Sequence, residues 1–582
     1  MCWCLSVLWL GCGVRVLFVC VCFYCFVVGG GVCLGGGACV LVVGVWGFPG
    51  SWWLAGYRSP VPPRDPGRWG RLVYWGLGER VDLHSTLVAL AKTLLDSGWC
   101  VRVVVYGLDS LAAPPRRRDP GRIPGDDEVR RRLVEETNAL IDEFYASDPR
   151  DYGEVVGRAE RVLRLYVEGY FGEAGLDPGL VDLVVVPGVG VFQLKGGDGG
   201  FKRYVFRGSP QNTLALLELD LYRRLRTYRP RAVVLDVSHG INFLPVLAVS
   251  ALRWAVKTYS ALEGVEVGVA VVNSDPVESH GQEATLHLVD ARVVSRRPLE
   301  VLADVVGEVW RLVEGVKAYK MLVREERPPK ELLELDKTVR MVAKKYASLA
   351  GTMLRVADYG LLLYLAHQLT DTNPNEILED AKKVEELLSK AMAWRVEAGG
   401  DTVIVSHGFS LNASGILDTI YTLHLLAKMA REAPGLVEEV EGYRMAGLDR
   451  LRSYAKSVGL REPAKTLLYN ELRDLEKRVN LYRKVTGETL EKPTPYRLVY
   501  EALEAQALKL LDEDRRRGLL RDLEKSAESK MCDVDTRNFY AHAGLEQNAI
   551  AVAVKGDRIL VGYHPQCLEK LAKTIKKSLE DS

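Results

Sequence analysis

Five short runs of β-branched and apolar residues, spaced by segments of helical period, constrain this chain more than any other feature. The first, Val40-Leu41-Val42-Val43-Gly44-Val45, opens into Gly47, Pro49, Gly50 and Ser51. That pattern predicts a strand buried on both faces and ending in a glycine-rich loop. Residues 101–106, 181–186, 232–237 and 265–272 share the texture. Between these runs, helical spacing covers residues 83–95 (with Asp82 placed as cap), 128–170 as one or two charged helices, 213–228 and 241–257; residues 114–127 read as a loop. Strands alternating with helices predict a mostly parallel sheet with helices on both faces.

In such sheets ligands sit beyond the carboxyl ends of the strands. Candidate binding residues therefore fall in three loops, carrying Gly47 and Ser51, then Ser238, His239, Gly240 and Asn242, then Asn273. No phosphate-loop lysine motif and no G-x-G-x-x-G follows any of the strands, which argues against a conventional nucleoside triphosphatase or dinucleotide enzyme. The loops suit a ligand with several phosphates and adenines, with backbone N–H groups on the phosphates and Ser, Asn and His side chains on bases or riboses. The local alternative is that Asp236 and Ser238 only cap the following helix while His239 packs against its neighbours.

From about residue 299 the texture becomes helical, over 301–319, 332–346, 354–369, 381–393, 413–433, 442–457, 462–485 and 496–515. Residues 402–406 read as a small strand, and residues 550–554 and 559–563, around Lys555-Gly556-Asp557-Arg558, as a terminal hairpin. Chemistry enters at Arg537-Asn538-Phe539-Tyr540-Ala541-His542, where Arg537 and His542 stand five apart and could flank one groove. RNA can be cleaved by its own 2′-hydroxyl if one group moves protons and another stabilises the pentacoordinate phosphate. Histidine suits the first task and arginine the second, and neither needs a metal. The alternative is an Arg537 ion pair on a helix face and a buried, packing His542.

At 582 residues the chain exceeds one core. Its net charge of +1 argues against a broadly basic nucleic-acid coat but leaves room for a local groove. Eight of the 11 cysteines lie in the first 39 residues, so the body is expected to be reduced and intracellular; no histidine set accompanies Cys2, Cys4, Cys20, Cys22 and Cys25, and no metal site is expected. Residues 1–48 are almost wholly Cys, Val, Gly, Leu, Trp and Phe, with Arg15 the sole charge. All but Met1, Ser6, Arg15, Tyr24 and Ala38 are residue types with codons built only from G and T. The expectation is a misplaced start, with translation beginning near Val40 or Leu41. A membrane anchor is the alternative, and a signal peptide fits poorly for want of a basic leading segment.

Together the two halves resemble the CARF–HEPN ribonucleases of type III CRISPR defence. The string Asp236-Val237-Ser238-His239-Gly240-Ile241-Asn242-Phe243-Leu244-Pro245 is similar to that family's CARF signature. Arg537-Asn538-Phe539-Tyr540-Ala541-His542-Ala543-Gly544-Leu545-Glu546 is similar to its HEPN Arg–x4–His motif. The resemblance covers roughly residues 39–582 and not the leader (1–38), and it implies an α/β plus α fold: a Rossmann-like CARF sensor (39–300), a helical connector (301–350) and a helical HEPN nuclease domain with a terminal hairpin (351–582). It further implies a cytoplasmic homodimer, or higher homo-oligomer, without stable membrane association. Cyclic oligoadenylate would bind through Ser238, His239, Gly240 and Asn242 and act as activator, no cofactor being required for catalysis. Single-stranded RNA would then be cut by Arg537 and His542, with Asn538 orienting the pair. A non-catalytic nucleotide sensor that binds RNA or a partner is the alternative.

Overall fold

The computed structural model describes residues 39–114, 118–197, 199–241, 243–322, 327–392, 395–505 and 513–580; the apolar leader (1–38) and Asn242 lie outside the described residues. The strand Cys39–Trp46 is the middle one of five parallel strands in an eight-stranded sheet. Alternate side chains of an extended strand leave by opposite faces. Here Val40, Val42 and Trp46 pack with Leu87, Leu90 and Tyr166, while Leu41, Val43 and Val45 pack with Leu217, Leu221 and Leu252 on the other side. Burial on both faces is why the strand reads as a continuous apolar run.

Five strands of this sheet are parallel, in the spatial order Val181–Val186, Cys100–Leu108, Cys39–Trp46, Ala232–Asp236 and Val267–Ser274. The chain builds outward in one direction from Cys39–Trp46, then returns to lay Ala232–Asp236 on its other flank. The strand order thus reverses between Cys39–Trp46 and Ala232–Asp236. A mixed edge follows: Gln282–Val294 pairs antiparallel with Val267–Ser274, and Ala55–Val61, of the antiparallel hairpin Ala55–Val61/Gly76–Leu83, pairs parallel with it beyond. Asp82 therefore lies in a strand, where it takes two hydrogen bonds from Arg80, and the helix begins later, at Thr86, without a side-chain cap.

The second half is helical, and its core is continuous with the sheet face that carries Leu41 and Val43. The helix Ala413–Glu432 lies at its centre, buried on all sides from Ile416 to Ala427. Residues 332–346 prove part of one long helix, Lys330–Asp358, which stops where Gly360 takes a positive φ of 72°. The helix Pro298–Val313 ends before Gly315, whose φ is 107°, and Tyr319–Met321 becomes a strand against Phe409–Leu411. Residues 443–447 are strand rather than helix, and the hairpin Ile550–Lys555/Arg558–Tyr563 joins them in a five-stranded antiparallel sheet. No helix among the described residues is long and apolar enough to cross a membrane.

Two features tie the halves together. The strand Thr402–Ser406 pairs in parallel with Phe201–Arg207, so one small sheet draws on both halves. Next to it, the Asn212 side chain donates to the Phe409 carbonyl at 3.0 Å and accepts from the Leu411 N–H at 2.8 Å. Along the helix Pro210–Tyr228, Glu218 accepts a hydrogen bond from Tyr421 at 2.8 Å in full burial.

The expectation of a reduced body needs correction, because Cys532 and Cys567 form a disulfide with a Cα–Cα distance of 5.0 Å. They are 35 residues apart, and only the intervening hairpin brings them together. The Nδ1 or Nε2 of His564 lies within 4.8 Å of both sulfurs, a metal-ligand grouping in which the two sulfurs are already bonded to each other.

Candidate functional site

The first candidate site lies at the reversal of strand order, the place where open α/β sheets hold ligands. There the Gly47 N–H donates to the His239 carbonyl at 2.8 Å and closes the first loop onto the second. A Cβ at Gly47 would stand 2.4 Å from Ile241 Cγ2, and one at Gly240 the same distance from Pro245 Cγ, so both loops run too close to neighbours for any side chain. Asp236 is buried and fully committed: Oδ1 accepts from the Ser238 hydroxyl at 2.5 Å, and Oδ2 from the Thr86 hydroxyl at 2.6 Å. The Ser238 hydroxyl oxygen accepts in turn from the Ser274 N–H at 2.9 Å, which joins the second and third loops. Asp236 and Ser238 thus lock loops to one another and do not cap the helix Leu244–Glu263, whose first residue follows an N-cap without a side-chain bond.

His239 stacks on Trp52 with ring centroids 3.7 Å apart and planes at 17°. Its Nε2 accepts from the Thr86 N–H at 3.3 Å, and burial pushes the imidazole down to about 3, so the ring is neutral. Trp52 stacks next on Tyr170 at 5.7 Å, and Tyr170 on His84 at 5.3 Å, which makes a column of four rings beneath the loops. His84 is buried between Asp127 and Glu173, each 2.9 Å from a ring nitrogen. Burial alone would lower its pKa, but the two carboxylates outweigh it and hold the imidazole above its ordinary value. Tyr170 also donates to the Pro49 carbonyl at 3.0 Å and so pins the first loop. Asn273 is exposed at the rim, and Ser51 closes the short turn Pro49–Ser51. The sequence missed Trp52, His84, Thr86 and Tyr170. The signal for Thr86 was its place at the start of a helix beside a strand end; the ring column left none.

The second candidate site is built on the short helix Thr536–Ala541, capped by Asp535 through the Asn538 N–H at 2.8 Å. Phe539 anchors it, fully buried against Tyr563, and leaves Arg537, Asn538 and His542 exposed. Gly544 takes φ 78°, and Ala543 φ 50°, so the chain turns sharply after His542 and presents its ring. Asn538 and His542 line a groove of about 240 Å³ with Glu471, Arg478, Tyr500 and Glu546. His542 is half exposed, and its Nδ1 lies 3.1 Å from Glu471 Oε2. Arg478 lies over the Tyr500 ring at 4.6 Å. Burial raises the Glu546 carboxyl above its ordinary value, although it accepts the Asn548 N–H at 2.8 Å. Arg537 is not among the residues lining this groove, and it has neither hydrogen bond nor ion pair among the described residues. The alternative of an ion-paired Arg537 and a buried His542 is therefore not the arrangement present.

Two family descriptions match the chain. The family description "CRISPR system endoribonuclease Csx1, CARF domain" matches residues 41–276, and "CRISPR system endoribonuclease Csx1, HEPN domain" matches residues 461–565. No curated protein matches the chain. The two matches follow the order of one endoribonuclease, cover more than half of the 582 residues, and include the loops around Ser238 and the helix around His542. The chain therefore belongs to the CARF–HEPN family of CRISPR-associated endoribonucleases.

Proposed function

We propose that the protein cuts single-stranded RNA without a metal, through Arg537 and His542, when cyclic oligoadenylate occupies the crevice beside Gly47, Ser238, His239, Gly240 and Asn273. The observation that carries this reading is the exposed His542, which lines a groove and is held at Nδ1 by Glu471. In-line attack by the 2′-hydroxyl needs a base for its proton and an acid for the departing 5′-oxygen, and imidazole does either. Two of the carboxylates in the groove already have other tasks, Glu471 on His542 and Glu546 on the Asn548 N–H, which supports proton transfer rather than metal-assisted attack.

Arg537, exposed and without a hydrogen bond or ion pair among the described residues, would stabilise a scissile phosphate held between two copies of the chain, and the active form is then a homodimer. Asn538, at the groove edge, orients the pair. At the other end, a ligand with several phosphates meets the backbone of the loops at the strand-order reversal. The signal travels through the shared small sheet and the Asn212 clamp as well as through the helices after residue 298. A ligand acts only through its different affinity for the resting and active arrangements. The test is His542→Ala and Arg537→Ala in the full chain. Each is expected to lower cleavage at least about 100-fold while RNA binding persists. Cleavage at the parental rate in His542→Ala overturns the catalytic assignment and leaves a binding or sensing role.

A further inference from the structure

We infer that Glu471 is the positioning residue of the nuclease site, fixing which nitrogen of His542 faces the RNA. The inference rests on the reading of His542 as the proton-transfer group. Glu471 comes from the helix Ala464–Thr486, 71 residues before its partner, and lines the same groove. That helix is held by Leu468, Leu472 and Leu475, all buried, so the backbone under Glu471 is set by the core and not by the contact itself. Surface carboxylates of this chain pair widely with Lys and Arg, as Glu143 does with Arg161 and Glu476 with Arg452. Glu471 instead faces the imidazole, and among the described residues it has no Lys or Arg partner.

A carboxylate only accepts hydrogen bonds, so the proton between Glu471 and His542 sits on Nδ1. The neutral ring then carries its lone pair on Nε2, on the opposite side from Glu471. That is the tautomer able to take a proton from a 2′-hydroxyl, and after protonation the same carboxylate balances the imidazolium. Without Glu471 the ring is free to turn and to exchange tautomers, and only a fraction of molecules would present Nε2 with its lone pair. An exposed ion pair of no consequence would contribute next to nothing to stability and nothing to turnover, so the two roles separate by experiment.

The measurement takes the full chain with its activator, with Glu471→Ala and Glu471→Gln as variants. Glu471→Ala is expected to lower kcat roughly tenfold or more and leave KM for RNA within about twofold. Glu471→Gln, whose amide NH2 can donate to Nδ1 and favour the other tautomer, is expected to restore little of that loss. Nitrogen NMR of the His542 ring reads the tautomer directly, without reference to activity: Nδ1–H in the parent and a mixture in Glu471→Ala. An unchanged kcat in Glu471→Ala, or an unchanged tautomer, overturns the inference. His542→Ala run alongside keeps the readings apart, since full cleavage in that variant removes the catalytic role of His542 whatever the tautomer shows.

Discussion

Replacing Glu218 by Gln should stabilise the protein, and the gain should grow with pH. Glu218 lies where the helix Pro210–Tyr228 meets Ala413–Glu432, buried to 4% exposure, with the Tyr421 hydroxyl donating to Oε1 at 2.8 Å. Burial raises its carboxyl from 4.5 to about 8, the Tyr421 bond offsetting only part of this, and Asp418 adds to the rise. The folded chain therefore keeps a proton that the unfolded chain releases between pH 4.5 and 8. Over that window unfolding is favoured as pH rises, each unit costing about 1.4 kcal/mol of stability. The loss attributable to Glu218 is about 1 kcal/mol at pH 5 and about 3 kcal/mol at pH 7. Glutamine preserves the shape and the acceptor for Tyr421 and does not titrate. Thermal unfolding of parent and variant at pH 5, 6, 7 and 8 reads the result. The variant should lead by about 1 kcal/mol at pH 5 and by about 3 kcal/mol at pH 7, a gain of about 2 kcal/mol across that range. A constant difference across the range, or a variant less stable at pH 7 than at pH 5 relative to the parent, would refute the reasoning.

Other expectations follow from the sites themselves. Trp52→Leu removes the face on which His239 stacks, and an aromatic pair is worth about 0.5–1.5 kcal/mol; calorimetric titration with cyclic oligoadenylate should show affinity falling by up to about tenfold, against no change if the stack is incidental. Gly47→Ala places a methyl 2.4 Å from Ile241 and 3.2 Å from the His239 carbonyl. Crowding of that kind costs about 1–3 kcal/mol, and the variant should lose both melting temperature and activator binding. Reducing the Cys532–Cys567 bond opens a loop of 35 residues. Loop-closure entropy assigns that bond about 3–4 kcal/mol, so denaturant unfolding of the C-terminal part should shift to a lower midpoint under reductant. An unmoved midpoint would deny the bond a structural role.

How far the sequence spoke for the fold depended on how locally each element is determined. The strands around Val40, Val103 and Val234 were legible because burial on both faces leaves no polar alternation, and residues 402–406 and the terminal hairpin matched their expected strands. Gly76–Leu83 was not, because it lies near an exposed edge and reads as charged residues rather than as a strand. The pairing of Thr402–Ser406 with Phe201–Arg207 joins segments some 200 residues apart, as do the Asn212 bonds, and no local pattern reports such a partner. The helix break at Gly360 and the strand at Tyr319 depend on backbone conformations that helical periodicity cannot register.

For the sites, the strings around Ser238 and Arg537 were legible as loops and caps because backbone turns are local, and the structure gives them those local conformations. Their partners were invisible for the opposite reason. Glu471, Trp52, Tyr170 and His84 enter through helices and loops from elsewhere in the chain, and only packing brings them to His542 and His239.

The most direct test of the account is an RNA-cleavage assay with the full chain, a fluorescent single-stranded RNA and EDTA, with cyclic tetra- or hexa-adenylate added or omitted. The account predicts cleavage only in the presence of the cyclic nucleotide, at a rate that EDTA does not change, and none in His542→Ala. Cleavage that needs a divalent metal, proceeds equally without the nucleotide, or survives in His542→Ala would contradict it.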